Sequence, residues 1–497
     1  MATTRLAPAA AGGLPFDQGT VRALARDLSR RAYDPGDGRV PESLARLSYD
    51  QYRDIRFRPE KALLDGPFRL QLFHAGFLFT QPVAIAIVRD GVSTPLAYDP
   101  GLFELGQNRF ADPLPKDLGF AGFRLHYPLN DPGVLDELVV FQGASYFRFL
   151  GRGQHYGLST RGLALGSGHP GEEFPSFRRF WIEDPEPGAR SVVIHALLDG
   201  PSVTGAYRFA VYPDVSTAVD VEATLFARRE LSHLGLAPLT SMFWTSENDR
   251  RIRTDFRPEV HDSDGLLLHT GAGEWIWRPL RNPAGTRIST FVDDAPKGFG
   301  LMQRERNFEQ YEDLEARYDL RPSYWVEPRG RWPAGAVTLV ELEGPDETSD
   351  NIAAFWEVKE PIRAGSETNV GYTIRAMTDG ADLHAGGQVA ATFQTDPVPH
   401  GHRGEKPANA RRFLVDFSGG DLAYAMKQPD AVKLVASVSS GRLTGQFLMP
   451  NPVRGGFRVG IDVAGEPGET IDVRAFLQSG ERALTETWTF PWTVPAP

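Results

Sequence analysis

The sequence predicts a mainly β protein whose strands form antiparallel sandwiches. From Phe68 onward, runs such as FRLQLFHAGFLF, VAIAIV and AYRFAVY are rich in valine, isoleucine, phenylalanine and tyrosine, which favour strands. Glycine, proline, asparagine and aspartate separate these runs, as turn residues do between strands. Because no long helical pattern intervenes, an antiparallel sandwich is favoured over a parallel sheet with crossover helices.

Size and composition limit the function classes. The 497 residues exceed a usual single domain, which predicts two domains. The formal net charge is −11 and no basic run offers a surface for a phosphate backbone, so we expect no nucleic-acid partner. The absence of cysteine excludes disulfides and thiol catalysis without choosing a compartment. No stretch approaches the roughly 18 apolar residues of a membrane span.

The N-terminal segment contains the clearest helical pattern. We expect residues 1–15 to be a disordered leader and Phe16 to Tyr33 to be a helix capped by Asp17. A second, weaker helical pattern covers Pro41 to Ile55. The apolar residues of the first pattern share one helix face: Val21, Leu24, Ala25 and Leu28.

The remaining chain divides into two β regions. We predict a catalytic β-sandwich domain over 16–375, a polar, glycine-rich linker over 376–387, and an immunoglobulin-like domain over 388–497 with roughly seven short strands. Within the first domain, Gln303 to Tyr318 interrupts the strand patterns. Its aromatic spacing fits either a surface helix or a long loop lining a cleft.

Two acidic motifs carry the candidate chemistry. HDSDG (His261 to Gly265) and PDETSDN (Pro345 to Asn351) each fit a polar turn when taken alone. HDSDG lacks the later oxygen ligands of a calcium loop, and the histidines are scattered along the chain. We therefore predict no metal and no cofactor.

The residues between the two motifs favour a carbohydrate site. Sugars stack their C–H faces on aromatic rings and need charged or amide partners for their hydroxyls. Glycoside cleavage by an inverting enzyme needs one carboxylic acid for the leaving oxygen and a second carboxylate to activate water. The aromatic residues between the acidic motifs include Trp275, Trp277, Tyr318, Tyr324, Trp325 and Trp332.

Long runs of this sequence resemble the OpgG/OpgD (MdoG/MdoD) family of osmoregulated periplasmic glucan biosynthesis proteins, and we expect an OpgD-like member. The resemblance extends from about Tyr49 to Tyr372 and thins towards the C-terminus. The runs that carry it are LGFAGFRLHYPLN (118–130), GASYFR (143–148), YGLSTRGLAL (156–165), LLDGPSVTGAYRF (197–209), APLTSMF (237–243), RPEVHDSDGL (257–266), GEWIWRPL (273–280), GFGLMQR (298–304) and PSYWVEP (322–328).

The resemblance implies a fold, a location and an activity. It implies a large galactose-mutarotase-like β-sandwich, or supersandwich, followed by an immunoglobulin-like domain. It also implies a periplasmic protein, exported on a signal that this sequence does not carry. Family members act on linear β-1,2-glucan, some as anomer-inverting endo-hydrolases, and at least one branch closes the glucan into a ring through an α-1,6 bond.

The resemblance also implies roles for particular residues. Asp350 matches the family's general acid, and Asp262 matches its general base, which acts through waters and a substrate hydroxyl; Asp264 is the alternative base. The sequence departs from the family pattern at two flanks of the site, Trp244 with Thr245 after SMF and Ser349 before Asp350, and either change bears on whether the enzyme hydrolyses or transfers the glucan. The expected substrate-binding residues, partly from the family pattern and partly from their chemistry, are Tyr318, Trp325, Glu327, Trp275, Trp277, Arg278 and Thr348.

Three functions remain open at this point. The first is a periplasmic β-1,2-glucan hydrolase or transglycosylase with a functional link to a membrane glucan synthase. The second is a non-catalytic glucan-binding scaffold that assists such a synthase. The third, a mutarotase-like enzyme on monosaccharides, rests on fold analogy alone. The oligomeric state is left open, with a homodimer as one alternative.

Overall fold

The computed structural model describes residues 13–36, 40–250, 254–398, 407 and 409–496. These residues are mainly β, as predicted, and the chain forms two compact units assembled from separated segments. The first unit comprises Met1–Leu239, Val326–Thr338 and Phe355–Met377. The second unit comprises Thr240–Trp325, Leu339–Ala354 and Thr378–Pro497. The predicted linker at 376–387 stays a prediction, and residues 1–12 of the expected leader lie outside the described residues.

The helices are short and few, whereas strands follow one another along the described chain. The helices are α1 (Gln18–Ser29), α2 (Glu42–Ala45), α3 (Tyr49–Arg53) and α4 (Leu422–Ala425). The strands up to residue 241 are β1 (Leu14–Pro15), β2 (Arg56–Phe57), β3 (Arg69–Phe73), β4 (Ala84–Arg89), β5 (Val92–Pro95), β6 (Phe103–Glu104), β7 (Gly122–Tyr127), β8 (Asp136–Gln142), β9 (Tyr146–Phe149), β10 (Ser159–Arg161), β11 (Ala164–Leu165), β12 (Ser176–Glu183), β13 (Val192–Asp199), β14 (Val203–Tyr212), β15 (Ala218–Ala227) and β16 (Leu234–Ser241). The later strands are β17 (Phe243–Thr245), β18 (Val260–His261), β19 (Gly265–His269), β20 (Trp275–Pro279), β21 (Arg287–Asp293), β22 (Gly298–Met302), β23 (Ser323–Arg329), β24 (Gly335–Glu341), β25 (Ile352–Val358), β26 (Glu367–Met377), β27 (Gln388–Thr395), β28 (Ala410–Ser418), β29 (Lys433–Val438), β30 (Arg442–Asn451), β31 (Gly456–Ala464), β32 (Thr470–Ser479), β33 (Arg482–Ala483) and β34 (Thr487–Thr493).

The first unit is a sandwich with an aromatic core. One sheet has the order β1-β5-β4-β12-β13-β14-β15-β26, and the other contains β10-β9-β8-β7-β3. Phe141 of the second sheet packs on Phe180 and Phe209 of the first, with ring centroids 5.5 and 5.1 Å apart. All three rings are buried. Aromatic rings alternating along strands of both sheets therefore fill the space between them.

Helix α1 confirms the clearest helical prediction. The Asp17 carboxylate accepts the backbone N–H of Thr20 at 2.8 Å, and the Thr20 hydroxyl accepts the backbone N–H of Asp17 at 3.1 Å. This reciprocal cap satisfies N–H groups that the first helical turn leaves unpaired. Val21 and Ala25 of the predicted face are buried against the sandwich. The weaker pattern at 41–55 forms two short helices, α2 and α3.

The second unit contains the predicted immunoglobulin-like strands. β27-β28-β31-β30 form one sheet, and β34-β32-β29 pair in another. The ring of Phe413 lies 5.6 Å from Trp488 and 5.3 Å from Phe490, so aromatic side chains from both sheets fill the core. β34 also pairs in parallel with β20, and β20 continues through β19 to β22.

The segment from Gln303 to Tyr318 is a long loop rather than an α-helix. It contains the single 3₁₀ turn Phe308–Gln310 and runs into a second, Tyr318–Leu320. Leu314 is 82% exposed, so the predicted stripe does not pack as a continuous helix face. The two buried tyrosines of the loop instead join a small core: Tyr311, Tyr318, Met242 and Val260.

Candidate active site

Asp262 lies at the end of β18, in the interior of the second unit. β18 pairs with β17 through Phe243 and His261. The backbone N–H of Asp262 donates to the carbonyl of Met242 at 2.8 Å. The residue is only 4% exposed, and its carboxylate accepts a hydrogen bond from the Arg321 guanidinium. Strand pairing thus fixes the backbone of Asp262, and an ion pair fixes its side chain.

Asp350 is exposed and closes a polar turn, whereas the next residue, Asn351, is buried. The amide of Asn351 makes two hydrogen bonds to the backbone of Phe243, accepting its N–H and donating to its carbonyl, each at 2.9 Å. The backbone N–H of Asp262 donates its hydrogen bond to Met242, the residue directly before Phe243. The two acidic motifs, 88 positions apart in sequence, are therefore anchored on adjacent residues of one chain segment.

A second connection joins the motifs through side chains. The Arg321 guanidinium that pairs with Asp262 lies 4.1 Å from the ring centroid of Tyr318. The Tyr318 hydroxyl donates to Glu347 at 2.8 Å, three positions before Asp350. Burial raises the pKa of Tyr318 well above its usual value, so its hydroxyl remains a donor at neutral pH.

Arg257 ties three loops together at one guanidinium. It contacts the carboxylates of Asp255 and Asp313 at 2.8 Å and that of Glu347 at 2.6 Å. Its side chain is 11% exposed, so these ion pairs are largely shielded from water. We call this set, Arg257 with Asp255, Asp313 and Glu347, the Arg257 hub. It holds the turn before Asp350 against two other loops.

Asp264 takes a different position from Asp262. Its carboxylate accepts the backbone N–H groups of Arg304 and Glu305, the latter at 2.9 Å. It also lines a polar cavity of about 690 Å³ within the second unit. Asp264 thus stabilises the turn that begins the 303–318 loop, whereas Asp262 connects to the Asp350 turn.

His261 is a buried cation between carboxylates. Its ring nitrogens lie 2.9 Å from the Gln303 side-chain oxygen and 3.0 Å from Glu259, and Asp264 is 3.6 Å away. Burial alone would lower its pKa, but the charges of Asp264 and Glu259 outweigh burial and raise the pKa to about 9. Burial, reinforced by Glu259, raises the pKa of Glu247 to about 7.

The candidate sugar-stacking tryptophans differ in exposure. Trp325 and Trp277 are buried, and the Arg304 guanidinium covers Trp277 at 3.6 Å from the ring centroid. Trp275 is partly exposed and stacks on His269, with centroids 4.0 Å apart. Trp275 therefore offers more ring surface to a ligand than Trp277 or Trp325. A glucan-binding role stays a prediction for all three.

The other candidate binding residues are engaged with protein groups. Arg278 is 1% exposed and pairs with Glu341 at 2.8 Å; burial lowers its pKa to about 10. Thr348 donates its hydroxyl to Asp346 at 2.6 Å within the exposed turn. Glu327 belongs to the first unit, where it contacts Arg375 at 3.2 Å.

Two groups of His, Asp and Glu in the described part of the chain bring their ligand atoms within 4.8 Å of one another. One is Glu259, His261 and Asp264. We interpret this group as an ion-pair network, because the raised pKa of His261 keeps its ring protonated at neutral pH and a metal ligand must be deprotonated. The second group, His169, His233 and Glu357, lies in the first unit.

The sequence analysis assigned no role to Arg257 or Arg321, although Arg257 begins the run RPEVHDSDGL and Arg321 directly precedes PSYWVEP. Partners of both lie far along the chain: 90 positions separate Arg257 from Glu347, and 59 separate Arg321 from Asp262. The sequence could have indicated only that some cation pairs with these carboxylates, because a buried carboxylate requires a cation or several hydrogen bonds.

The fold and the adjoining acidic segments define a class: β-sandwich proteins with a carboxylate-containing site. Within that class the chain belongs to the family described as periplasmic glucan biosynthesis protein, MdoG, whose model matches residues 16–492. The resemblance to this family is thereby confirmed, whereas the expectation of an OpgD-like member stays a prediction.

Relatives from two bacterial genera agree with this assignment. A Vibrio cholerae serotype O1 (strain M66-2) protein named glucans biosynthesis protein G is 47% identical over 489 residues, covering 96% of this chain and 87% of the relative. Proteins of the same name from Shewanella sp. strains W3-18-1 and MR-4 are 46% and 47% identical over 487 and 486 residues, with the same coverage. The family description implies a periplasmic setting. Each helix among the described residues is too short or too polar to cross a bilayer.

Proposed function

We propose that this protein is a β-1,2-glucan-active, anomer-inverting glycoside hydrolase or transglycosylase of the periplasm. The observation that carries the proposal is the anchoring of Asp262 and Asn351 on the adjacent residues Met242 and Phe243. It brings a buried and an exposed carboxylate from distant motifs into one region, and inverting cleavage needs two carboxyl groups with different tasks.

Asp350 is assigned as the general acid. Its exposure lets a bulky glucan reach it, and its carboxylic proton goes to the glycosidic oxygen as the bond from that oxygen to the anomeric carbon breaks. The nucleophile, water or a sugar hydroxyl, attacks the same carbon from the opposite face. Its proton passes to Asp262, so each cycle consumes one acidic proton and returns one.

Asp262 is assigned as the general base and Arg321 as its positioning residue. Asp262 is only 4% exposed, which favours proton transfer through intervening waters or substrate hydroxyls over direct contact with the nucleophile. Arg321 holds the carboxylate in one orientation through its hydrogen bond. Asp264 is the weaker candidate because two backbone N–H groups already occupy one of its oxygens.

Hydrolysis and ring closure differ only in the attacking oxygen. Inversion at a β-linked anomeric carbon gives an α product, so attack by a 6-hydroxyl of the same chain gives an α-1,6 bond. Water gives a shorter chain with a new reducing end. A functional link to a membrane glucan synthase follows, because such an enzyme processes a glucan that a synthase must first deliver.

The decisive experiment uses purified protein and linear β-1,2-glucan, followed by mass spectrometry and anomeric NMR. Shorter reducing chains identify hydrolysis, and products lighter by one water than a linear chain identify rings. Unchanged glucan that nevertheless binds the protein would replace the proposal with a non-catalytic scaffold.

The first prediction concerns the proposed acid. Asp350→Asn should keep the fold and bind glucan, yet lose about 100-fold or more of its turnover, because the amide cannot donate an acidic proton. Asp346→Asn, an exposed carboxylate in the same turn, is the matched control and should retain turnover. Wild-type turnover in Asp350→Asn would remove Asp350 from the acid role.

A further inference from the structure

Two histidines and a glutamate meet at the surface of the first unit. His169, His233 and Glu357 are partly or fully exposed, and each offers a ligand atom within 4.8 Å of the other two. The imidazole rings of His169 and His233 stack with centroids 4.1 Å apart and planes 29° from parallel. They lie 64 positions apart in sequence, and Glu357 follows 124 positions later. The fold therefore brings together a group that no local sequence motif predicts.

Hydrogen bonds hold His233 and Glu357 in fixed orientations. His233 Nδ1 lies 2.7 Å from Oε1 of Glu357, and the other oxygen of Glu357 accepts the Thr338 hydroxyl at 2.7 Å. Nδ1 and Oε1 are both ligand atoms, so a metal ion bound between them would replace this hydrogen bond, while the Thr338 hydroxyl would keep the second carboxylate oxygen in place. Carboxylates that bind metal ions in proteins are hydrogen-bonded in this way.

The backbone at His233 is held in an unfavourable conformation. Its φ of 51° lies in the left-handed region, which residues with a side chain seldom adopt. The His233 carbonyl accepts the backbone N–H of Gly166 at 3.1 Å, immediately before β16 begins. Such conformations persist where surrounding contacts enforce them, often at binding sites.

His169 stands on a loop that is itself anchored. The hydroxyl of Ser167 donates to Glu172 at 2.5 Å and accepts a hydrogen bond from Arg161 at 3.1 Å. Arg161 also pairs with Glu172 at 3.0 Å, and its side chain is almost fully buried. The loop bearing His169 is therefore pinned beside the strand that follows His233.

We propose that His169, His233 and Glu357 bind a divalent transition-metal ion, with Zn²⁺ the best match. Imidazole nitrogens and one carboxylate form a borderline ligand set that suits Zn²⁺ and disfavours Ca²⁺ and Mg²⁺, which prefer oxygen ligands throughout. Three protein ligands leave a fourth position for water or for a group from a partner. Sequence reasoning predicted no metal because these ligands are scattered along the chain.

The site is independent of the proposed glucan chemistry. Its three residues belong to the first unit, whereas Asp262 and Asp350 belong to the second. The experiment uses Zn²⁺ alone as the probe, so its result does not depend on glucan turnover.

The test is Zn²⁺ titration of metal-free protein by calorimetry. Because His400 and His402, outside the described residues, could also bind metal, every variant is built in a His400→Ala/His402→Ala background. That background should bind one Zn²⁺ per chain. His169→Ala, His233→Ala and Glu357→Gln should each weaken binding by at least about 10-fold, because removing even the hydrogen-bond partner of a ligand costs about 10–100-fold in affinity.

His155→Ala removes another exposed histidine and is the matched control, which should bind as the background does. Circular dichroism melting confirms that each variant remains folded. In NMR spectra, Zn²⁺ should shift the ring signals of His169 and His233 and leave those of His155 in place. A background protein that binds no Zn²⁺, or a His233→Ala variant as tight as His155→Ala, overturns the proposal.

Discussion

At the scale of single residues, the ion pair between Asp262 and Arg321 is central to the candidate site. Asp262 is almost fully buried and is paired with Arg321, whose side chain is 16% exposed. A buried carboxylate that loses its cation remains desolvated without compensation, which is far more costly than losing an exposed pair. The free energy of folding therefore depends on the same contact that orients the proposed base.

Arg321→Gln should lower the free energy of unfolding by about 3 kcal/mol, because it leaves the Asp262 charge buried and unpaired. Asp262→Asn in the same chain removes that charge, so the double variant should recover most of the lost stability. Urea denaturation of the two single variants and the double variant measures this coupling. Additive losses in the double variant would show that Asp262 does not depend on Arg321.

His261 gives the protein a stability that depends on pH. Its folded pKa of about 9 exceeds the usual 6.5, so its contribution is fully present below pH 6.5 and is lost as pH rises through 9. A shift of this size corresponds to about 3 kcal/mol. Urea midpoints should therefore fall between pH 7 and roughly 9.5. His261→Gln should show a flatter profile, and a wild-type stability that stays constant over this range would contradict the assignment.

At the scale of elements, loops rather than strands determine the geometry of the acidic region. The Arg257 hub joins the Asp255, Asp313 and Glu347 loops, and Glu347 precedes Asp350 by three residues. Asp255, Asp313 and Glu347 lie outside the described helices and strands. The hub therefore adds a second constraint on the position of Asp350, beside the hydrogen bonds that anchor Asn351 on Phe243.

Arg257→Ala should reduce kcat on linear β-1,2-glucan by about 100-fold with a smaller change in KM, because displacing a catalytic group by about 1 Å has effects of this size. Arg482→Ala breaks an exposed ion pair with Asp421 and is the control, which should leave kcat unchanged. Steady-state kinetics separates the two. If Arg257→Ala raised only KM, the hub would act on binding and not on the position of Asp350.

Elements with a strong local pattern were predictable from sequence. The strands follow β-branched and aromatic runs, and α1 follows its apolar face and the Asp17 cap. The 303–318 segment was ambiguous because its aromatic spacing fits a helix equally well. Tertiary packing decides between the two: the loop conformation buries Tyr311 and Tyr318 in a small core and leaves Leu314 exposed.

The acidic motifs were recognisable, but their partners were not. Sequence composition shows where carboxylates are concentrated, whereas the choice between Asp262 and Asp264 depends on which faces Arg321 and which accepts backbone N–H groups. These contacts depend on strand register and loop packing across 40 or more positions. Local sequence carries no signal for such pairings.

At the scale of the whole molecule, the C-terminal strands share buried contacts with the segments around the acidic motifs. Glu486 is fully buried and pairs with Arg304 at 2.6 Å. Arg304 in turn covers Trp277 and donates its backbone N–H to Asp264. β34, which follows Glu486, pairs with β20. The immunoglobulin-like strands are therefore a structural part of the second unit.

Glu486→Ala should destabilise the second unit by about 3 kcal/mol, because Arg304 loses its buried counterion and the Val389 backbone N–H loses its acceptor. Glu481→Ala, an exposed carboxylate five positions earlier, is the matched control and should change stability by less than about 0.5 kcal/mol. Amide hydrogen exchange locates the effect. We expect faster exchange both in β27 and in the 303–306 turn, since Glu486 bonds to both. Faster exchange confined to the C-terminal strands would show that they open without disturbing the acidic region.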